Sequence, residues 1–330
     1  MNKLDSGDMY TVIANYPKQF ATGLRSAEVI QLSSDIDKVV IVAAGTNALM
    51  AKVITEVFES NIKTPFIIHP GDESPVSLTN KTLVVAIDLT GKWASALSTL
   101  ENAHKIGCQI VVVTSGQKAE VFAREKGLPL VLTPGSLTNI PERMLSGYVL
   151  SVLVQLLINC RVLEVGARLR ILKAIEVINQ LYLVQQAKQI VDLIKGYLLL
   201  VYAHPNYSTI IEMAKIKFNL NCKLPSFAST IPEVIQNEAA GFNVIKNLRT
   251  TALIFDDTAK SEVSSLEMEK LTNYLTKFNI KYLTIPLPGN NKLEKILGSM
   301  LLTDWISYWL ALSMNVDPTP TPILDNSVLK

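Results

Sequence analysis

Five short apolar runs in the first half of the chain, each ending in small polar residues and most opening into a helical pattern, predict an α/β protein. The same alternation resumes after a long helical stretch, which predicts two doubly wound domains in tandem, each a parallel sheet flanked by helices. Composition agrees. At 330 residues, 48% apolar and 18% charged, the chain is long enough for two well-cored domains and too apolar to be disordered.

Taken in order, residues 1–37 read as a helical extension of one or two helices with a loop and no helix-turn-helix. At Lys38 the pattern changes. Val39, Val40, Ile41 and Val42 form a continuous apolar run, as expected of a strand buried on both faces, and a small-residue turn leads into a helix over 49–60. Further strands are expected at 66–68, 83–87, 109–113 and 129–132, with helices over 93–106 and up to Lys126 between them. Long helices are read over 141–160 and 166–194. A second α/β unit follows, with strands at 197–202, 251–255 and 281–285 and a closing helix over 293–314. Domain limits of 1–37, 38–160 and 161–330 result. Residues 252–258 echo 84–90 as an apolar strand, an acid and then Thr, in keeping with one fold used twice.

Several function classes are disfavoured. A net charge of +2 without a basic run argues against nucleic acid as a partner. Cys108, Cys160 and Cys222 are odd in number and lack metal-ligand spacing, which fits a reducing cytoplasm and predicts neither a disulfide framework nor a metal site. Residues 1–20 lack the apolar core of a signal peptide. The uncharged stretch 144–160 is near the lower limit of a membrane span, but Ser146, Gly147, Ser151, Gln155 and Asn159 interrupt it, so it reads as a buried helix. Its apolarity around the whole circumference suggests burial in a homodimer.

Chemistry is expected at the carboxyl ends of the strands, where ligands of open α/β sheets bind and helix amino ends favour phosphate. Gly45, Thr46 and Asn47 follow the first strand, Asp88, Thr90 and Gly91 the third, Thr114 and Ser115 the fourth. Small polar residues end most such strands, so a purely structural role stays open for each. The run Phe218, Asn219, Leu220, Asn221, Cys222, Lys223 reads on pattern as an Asn-rich turn after a helix over 210–217, followed by an extended piece at 224–226 and a helix from Pro232.

That run resembles the Phe-Asn-Glu-Asn-x-Lys segment of the bifunctional phosphoglucose/phosphomannose isomerases, and residues 231–237 resemble their Leu-Pro-Glu-x-x-His-Asn segment. The eight residues Pro141, Glu142, Arg143, Met144, Leu145, Ser146, Gly147 and Tyr148 resemble the family's Pro-x-Arg-x-x-x-Gly-Tyr. Residues 316–325 resemble its closing Val-Asp-Pro-Thr-Pro segment, the most specific match of the set. The resemblance runs from Val39 to Leu329 and implies two tandem SIS-type domains, a sugar phosphate as ligand, no cofactor and a homodimer.

It also implies roles. Arg143 would steady an anionic enediolate, Thr321 would lie near the site, and the loops at 43–48, 88–93 and 114–116 would cradle phosphate. Two positions depart from the pattern. The family's base, a Glu, is Leu220 here, and its His, which helps open the sugar ring, is Gln236. Losing a general base costs roughly 10²–10⁴-fold, about 3–5 kcal/mol of barrier. Glu233, Glu238 and His204 are conceivable substitutes, each with a simpler reading as a solvated helix carboxylate or a turn histidine. Asp88 stands where the family has a Ser and opposes a dianion. Lys92 is placed to offset it. Should Asp88 instead bond to Thr90 or pair with Lys92, phosphate binding at that loop loses its basis. Two functions follow: a sugar-phosphate-binding protein with lost or reduced isomerase activity, or a working phosphosugar isomerase with a replacement base. A SIS-type transcription regulator lacks its DNA-binding module.

Overall fold

A computed structural model describes residues 3–71, 77–90, 94–257, 259 and 261–321. The chain forms two compact units, a first of Asn15–Glu176 and a second of Met1–Ala14 with Val177–Lys330.

In the first unit β1 (Lys38–Val42), β2 (Phe66–His69), β3 (Thr82–Asp88), β4 (Gln109–Thr114) and β5 (Leu130–Leu132) form a parallel sheet of order β2-β1-β3-β4-β5. Every residue of β3 is buried, which accounts for its unbroken apolar run. Alternation decides the faces. Val40, Val42, Val84, Ala86, Ile110 and Val112 form one core with Leu100 and Ala103 of α4 (Ala94–Ile106) and Phe122 of α5 (Gln117–Glu125).

The uncharged helix is α6 (Ser146–Asn159), preceded by a 3-10 turn over Glu142–Met144. It packs on α2 (Tyr16–Glu28) and α3 (Gly45–Phe58) of its own unit. A Cβ on Gly23 of α2 would lie 2.4 Å from the Tyr148 carbonyl oxygen, so glycine is required for this close approach. Because α6 is already covered within its unit, its apolarity needs no second copy of the chain. That removes the reason that the composition of α6 offers for a dimer and leaves the one that the resemblance implies.

The second unit repeats the plan. β6 (Leu198–Ala203), β7 (Ser226–Thr230), β8 (Thr250–Asp256) and β9 (Lys281–Pro286) form a parallel sheet of order β7-β6-β8-β9. β3 and β8, the strands that echo each other in sequence, hold corresponding places beside the first strand of each sheet. The repeat is therefore structural.

Three expectations change. The expected helix over 166–194 is two, α7 (Gly166–Glu176) and α8 (Gln180–Ile194), because Asn179 accepts a hydrogen bond from the Tyr182 N–H and starts a new helix. The Asn-rich run is not a turn, since α9 (Ser208–Asn221) continues through Leu220. The extended piece at 224–226 leads into β7, which pairs along β6.

The continuation of α9 has a cause in α13 (Lys292–Ser313), against which it packs. Lys217 and Asp304, 1% and 3% exposed, form an ion pair at 2.7 Å. One turn on, Asn221 donates to Ser307 Oγ at 2.9 Å. These bonds hold Asn221 in the helix although asparagine is a weak helix former. α13 is long and apolar enough to cross a membrane by composition, and 83% of its apolar 18-residue stretch is buried within the protein. At the other end of the chain, α1 (Met9–Ala14) joins this unit through Tyr10, whose ring centroid lies 5.1 Å from that of Trp305.

Removing one partner of a buried ion pair leaves the other uncompensated. Asp304→Ala is expected to lower unfolding stability by about 3–5 kcal/mol in urea titration, and Lys217→Met combined with Asp304→Leu to recover most of it. A loss below about 1 kcal/mol in the single variant would show that the pair is solvated.

Candidate functional site

The sheet register builds the site. Asp88 pairs with Thr114 and Thr114 with Leu132, so the residues that follow, Leu89, Ser115 and Thr133, emerge side by side at the carboxyl edge. They line a cavity of about 280 Å³ together with Thr90, Gln117, Leu137, Thr138, Ile140, Glu142 and Leu145. Of the phosphate-loop candidates, Thr90 and Ser115 line it directly. Thr114 is buried beneath them, its hydroxyl donating to the Gly116 carbonyl at 3.1 Å. Gly91 and Lys92 lie outside the described residues.

Asp88 bonds to Thr90. Its Oδ1 accepts from the Thr90 N–H at 3.0 Å and from the Thr90 hydroxyl at 2.7 Å. A carboxylate thus occupies the two donors that Thr90 would offer a phosphate. The Ser115 hydroxyl is likewise committed, donating to the Leu89 carbonyl. Both arrangements count against phosphate at Thr90 and Ser115.

The first loop differs. Gly45 has φ +55°, with nothing within 4 Å of where a Cβ would be, so glycine suits this position on conformational grounds. It opens α3, whose amino end has no side-chain cap. Thr46 and Asn47 follow, both buried.

Glu142 was not among the candidates. It sits on the 3-10 turn before α6, beside Arg143, which is 8% exposed. The turn is pinned by Gln19 of α2, which donates to the Met144 carbonyl at 2.8 Å and accepts from the Tyr148 N–H at 3.3 Å. Asn47 Nδ2 donates to Glu142 Oε1. Burial raises the Glu142 carboxyl from its ordinary 4.5 to about 7; the charge on Asp88 adds to the rise and the Asn47 bond opposes it. An acid after proline at a helix start reads as a solvated first-turn carboxylate, which is why sequence reasoning passed over it.

The remaining candidates belong to the second unit. Leu220 is half-buried in the last turn of α9. Gln236 ends α10 (Ile231–Gln236) and is exposed, and Thr321 is half-buried near the limit of the described chain. Neither Leu220 nor Gln236 can take a proton from a substrate near neutral pH. Among the conceivable substitutes, Glu233 is exposed and accepts from Asn237 at 2.9 Å, and Glu238 accepts from the Tyr202 hydroxyl at 2.9 Å. His204 lines a separate cavity of about 250 Å³ with Tyr207, Asp256 and Asp257. There Asp257 is already paired with Lys295 at 2.6 Å and bonded by the Tyr207 hydroxyl. No group of His, Cys, Asp and Glu that could hold a metal occurs among the described residues.

Two parallel sheets of matching strand order, with cavities at their strand ends, define the chain as a double-SIS-domain protein. A solved structure, the tagatose-6-phosphate ketose/aldose isomerase of Escherichia coli, shares this fold with a TM-score of 0.67 at 13% identity, covering 95% of each chain. Residues 183–327 match the family model for the bacterial phospho-glucose isomerase C-terminal SIS domain. The bifunctional phosphoglucose/phosphomannose isomerase of Caldicellulosiruptor bescii is 24% identical over 96% of this chain and 97% of its own. That of Aquifex aeolicus is 28% identical over 74% of each. Over most of its length the chain is thus similar to the bifunctional phosphoglucose/phosphomannose isomerases, from which it has diverged widely in sequence.

A carboxyl whose folded pKa lies above its unfolded value stabilises the protein fully below the unfolded pKa, and that stability is lost as pH rises through the folded one. For Glu142 the window runs from 4.5 to about 7. Glu142→Gln keeps the oxygen that Asn47 bonds and removes the titration. At pH 8 it is expected to exceed wild type in unfolding stability by about 2 kcal/mol, with little difference at pH 4.5. Equal gains at both values would mean that Glu142 titrates as a solvated acid.

Proposed function

We propose that the protein binds sugar phosphates such as glucose 6-phosphate, mannose 6-phosphate or fructose 6-phosphate, and that its aldose–ketose isomerase activity is lost or reduced. The observation that carries this reading is Leu220, an aliphatic side chain at the position of the family's base in the last turn of α9. A leucine accepts no proton, and Gln236 cannot relay one near neutral pH. With Asp88 bonded to Thr90, the phosphate is assigned to the backbone N–H groups at the amino end of α3, Gly45, Thr46 and Asn47, where the helix has no side-chain cap. Such a protein acts as a sensor, or as a subunit beside an active relative. The alternative, a working phosphosugar isomerase with a replacement base, is favoured by one observation, the buried carboxyl of Glu142 in the first unit's cavity.

The protein is also read as a cytoplasmic homodimer that needs no cofactor and binds neither nucleic acid nor membrane. Free Cys108, Cys160 and Cys222 support the reducing compartment. Leu181 and Tyr182 of α8, 78% and 56% exposed, support a partner surface. Sedimentation at micromolar concentration should give twice 36.3 kDa, and a clean monomer would remove the dimer.

A thermal-shift screen is expected to show stabilisation by sugar phosphates and less by the unphosphorylated sugars. Asp88→Ser should strengthen sugar-phosphate binding by roughly tenfold or more, since it removes a like charge from the cleft. In a coupled assay from fructose 6-phosphate to glucose 6-phosphate, wild-type turnover should fall at least about 10²-fold below tens per second. Leu220→Glu should raise it, and Gln236→His should add to the gain. Wild-type turnover at tens per second, or no response to any sugar phosphate, would contradict the reading.

A further inference from the structure

We infer that Glu142 is the group that carries protons to and from a sugar bound in the first unit's cavity, serving whatever isomerase turnover this chain retains. The inference rests on the proposal above that the ligand is a phosphosugar.

Position comes first. Glu142 is the one carboxylic acid among the described residues that line the cavity, where it stands with Thr90, Ser115 and Thr133. It precedes Arg143, the residue that the family motif places at the enediolate. Its orientation is held twice over: Asn47 donates to Oε1, and Gln19 ties the turn that carries it to α2. A proton-transfer group must be fixed in this way, because a freely rotating carboxylate spends little time in reactive geometry.

Basicity comes second. A solvated glutamate is too weak a base to remove a proton beside a carbonyl at useful rates, whereas one that titrates near neutrality is half ionised and strong enough. Burial supplies most of that rise, and the charge of Asp88, from the end of β3, adds to it. Arg143, next in the chain, is the cation in the same turn, and Asn47 from α3 is neutral. The nearby carboxylates have separate tasks: Asp88 is engaged with Thr90 and sets the field, while Glu142 faces the cavity.

The step balances without any co-reactant. Ionised Glu142 removes the proton from C2 of the open-chain aldose, and the C2–H electron pair forms the C1–C2 double bond as the charge moves to O1. The resulting acid returns that proton to C1, the O2 proton is lost to the first oxygen, and the ketose forms.

The test compares wild type, Glu142→Gln, Glu142→Asp and, as a control at an exposed helix carboxylate, Glu233→Gln. Coupled turnover, NMR-detected deuterium exchange at C1 and C2 of fructose 6-phosphate, and the thermal shift by the same compound are measured across pH 5.5–9. Wild-type kcat/KM is expected to rise with pH through a limb near 7. Glu142→Gln should lose at least about 10²-fold in turnover and exchange while keeping the thermal shift, and the limb should vanish with it. Glu142→Asp should keep part of the activity, with the limb moved, and Glu233→Gln should match wild type. Turnover in Glu142→Gln within threefold of wild type overturns the inference. So does a loss of binding together with turnover, which would make Glu142 a binding residue. Wild type that binds fructose 6-phosphate but neither turns over nor exchanges deuterium also overturns it while the binding proposal stands. No binding at all defeats that proposal first.

Discussion

The charge balance between Asp88 and Glu142 is the constraint on which the first unit's site depends. Glu142 lines a partly dry recess at the carboxyl edge of a parallel sheet within reach of the charge on buried Asp88, an arrangement that repulsion and desolvation both oppose. It persists because each is held by its own donors: the Thr90 amide and hydroxyl for Asp88, and the Asn47 amide for Glu142. The structure meets the remaining cost by keeping Glu142 protonated below neutrality. A recess built this way resists added negative charge.

The fold was largely legible because parallel strands covered on both faces must be continuous apolar runs. β1, β3, β4, β6 and β8 are all of that kind, and each lies within a residue or two of its expected place. Errors gathered where tertiary contacts override local preference. Asn219 and Asn221 suggest a turn, but the Lys217–Asp304 pair and the bond from Asn221 to Ser307 keep α9 helical across them. The break between α7 and α8 rests on one capping side chain, Asn179, in a stretch whose apolar pattern is otherwise continuous.

The site was legible only in outline. Strand-end loops follow from topology, so Thr90, Thr114 and Ser115 could be placed without coordinates. Glu142 could not. Its partner Asn47 is 95 residues away in the chain, and nothing in the local pattern distinguishes it from a solvated helix-start acid. The substituted positions Leu220 and Gln236 stood out only against a family pattern, since an aliphatic residue and an amide on helices are unremarkable by themselves.

The coupling of these two acids can be measured directly by a ¹³C NMR titration of the Glu142 carboxyl in wild type and in Asp88→Asn. The account predicts a wild-type midpoint near 7 that moves down towards 4.5 once the Asp88 charge is removed, with burial keeping it from returning all the way. A midpoint near 4.5 in both proteins would contradict it, because Glu142 would then be an ordinary solvated acid and the cavity would hold no group suited to proton transfer.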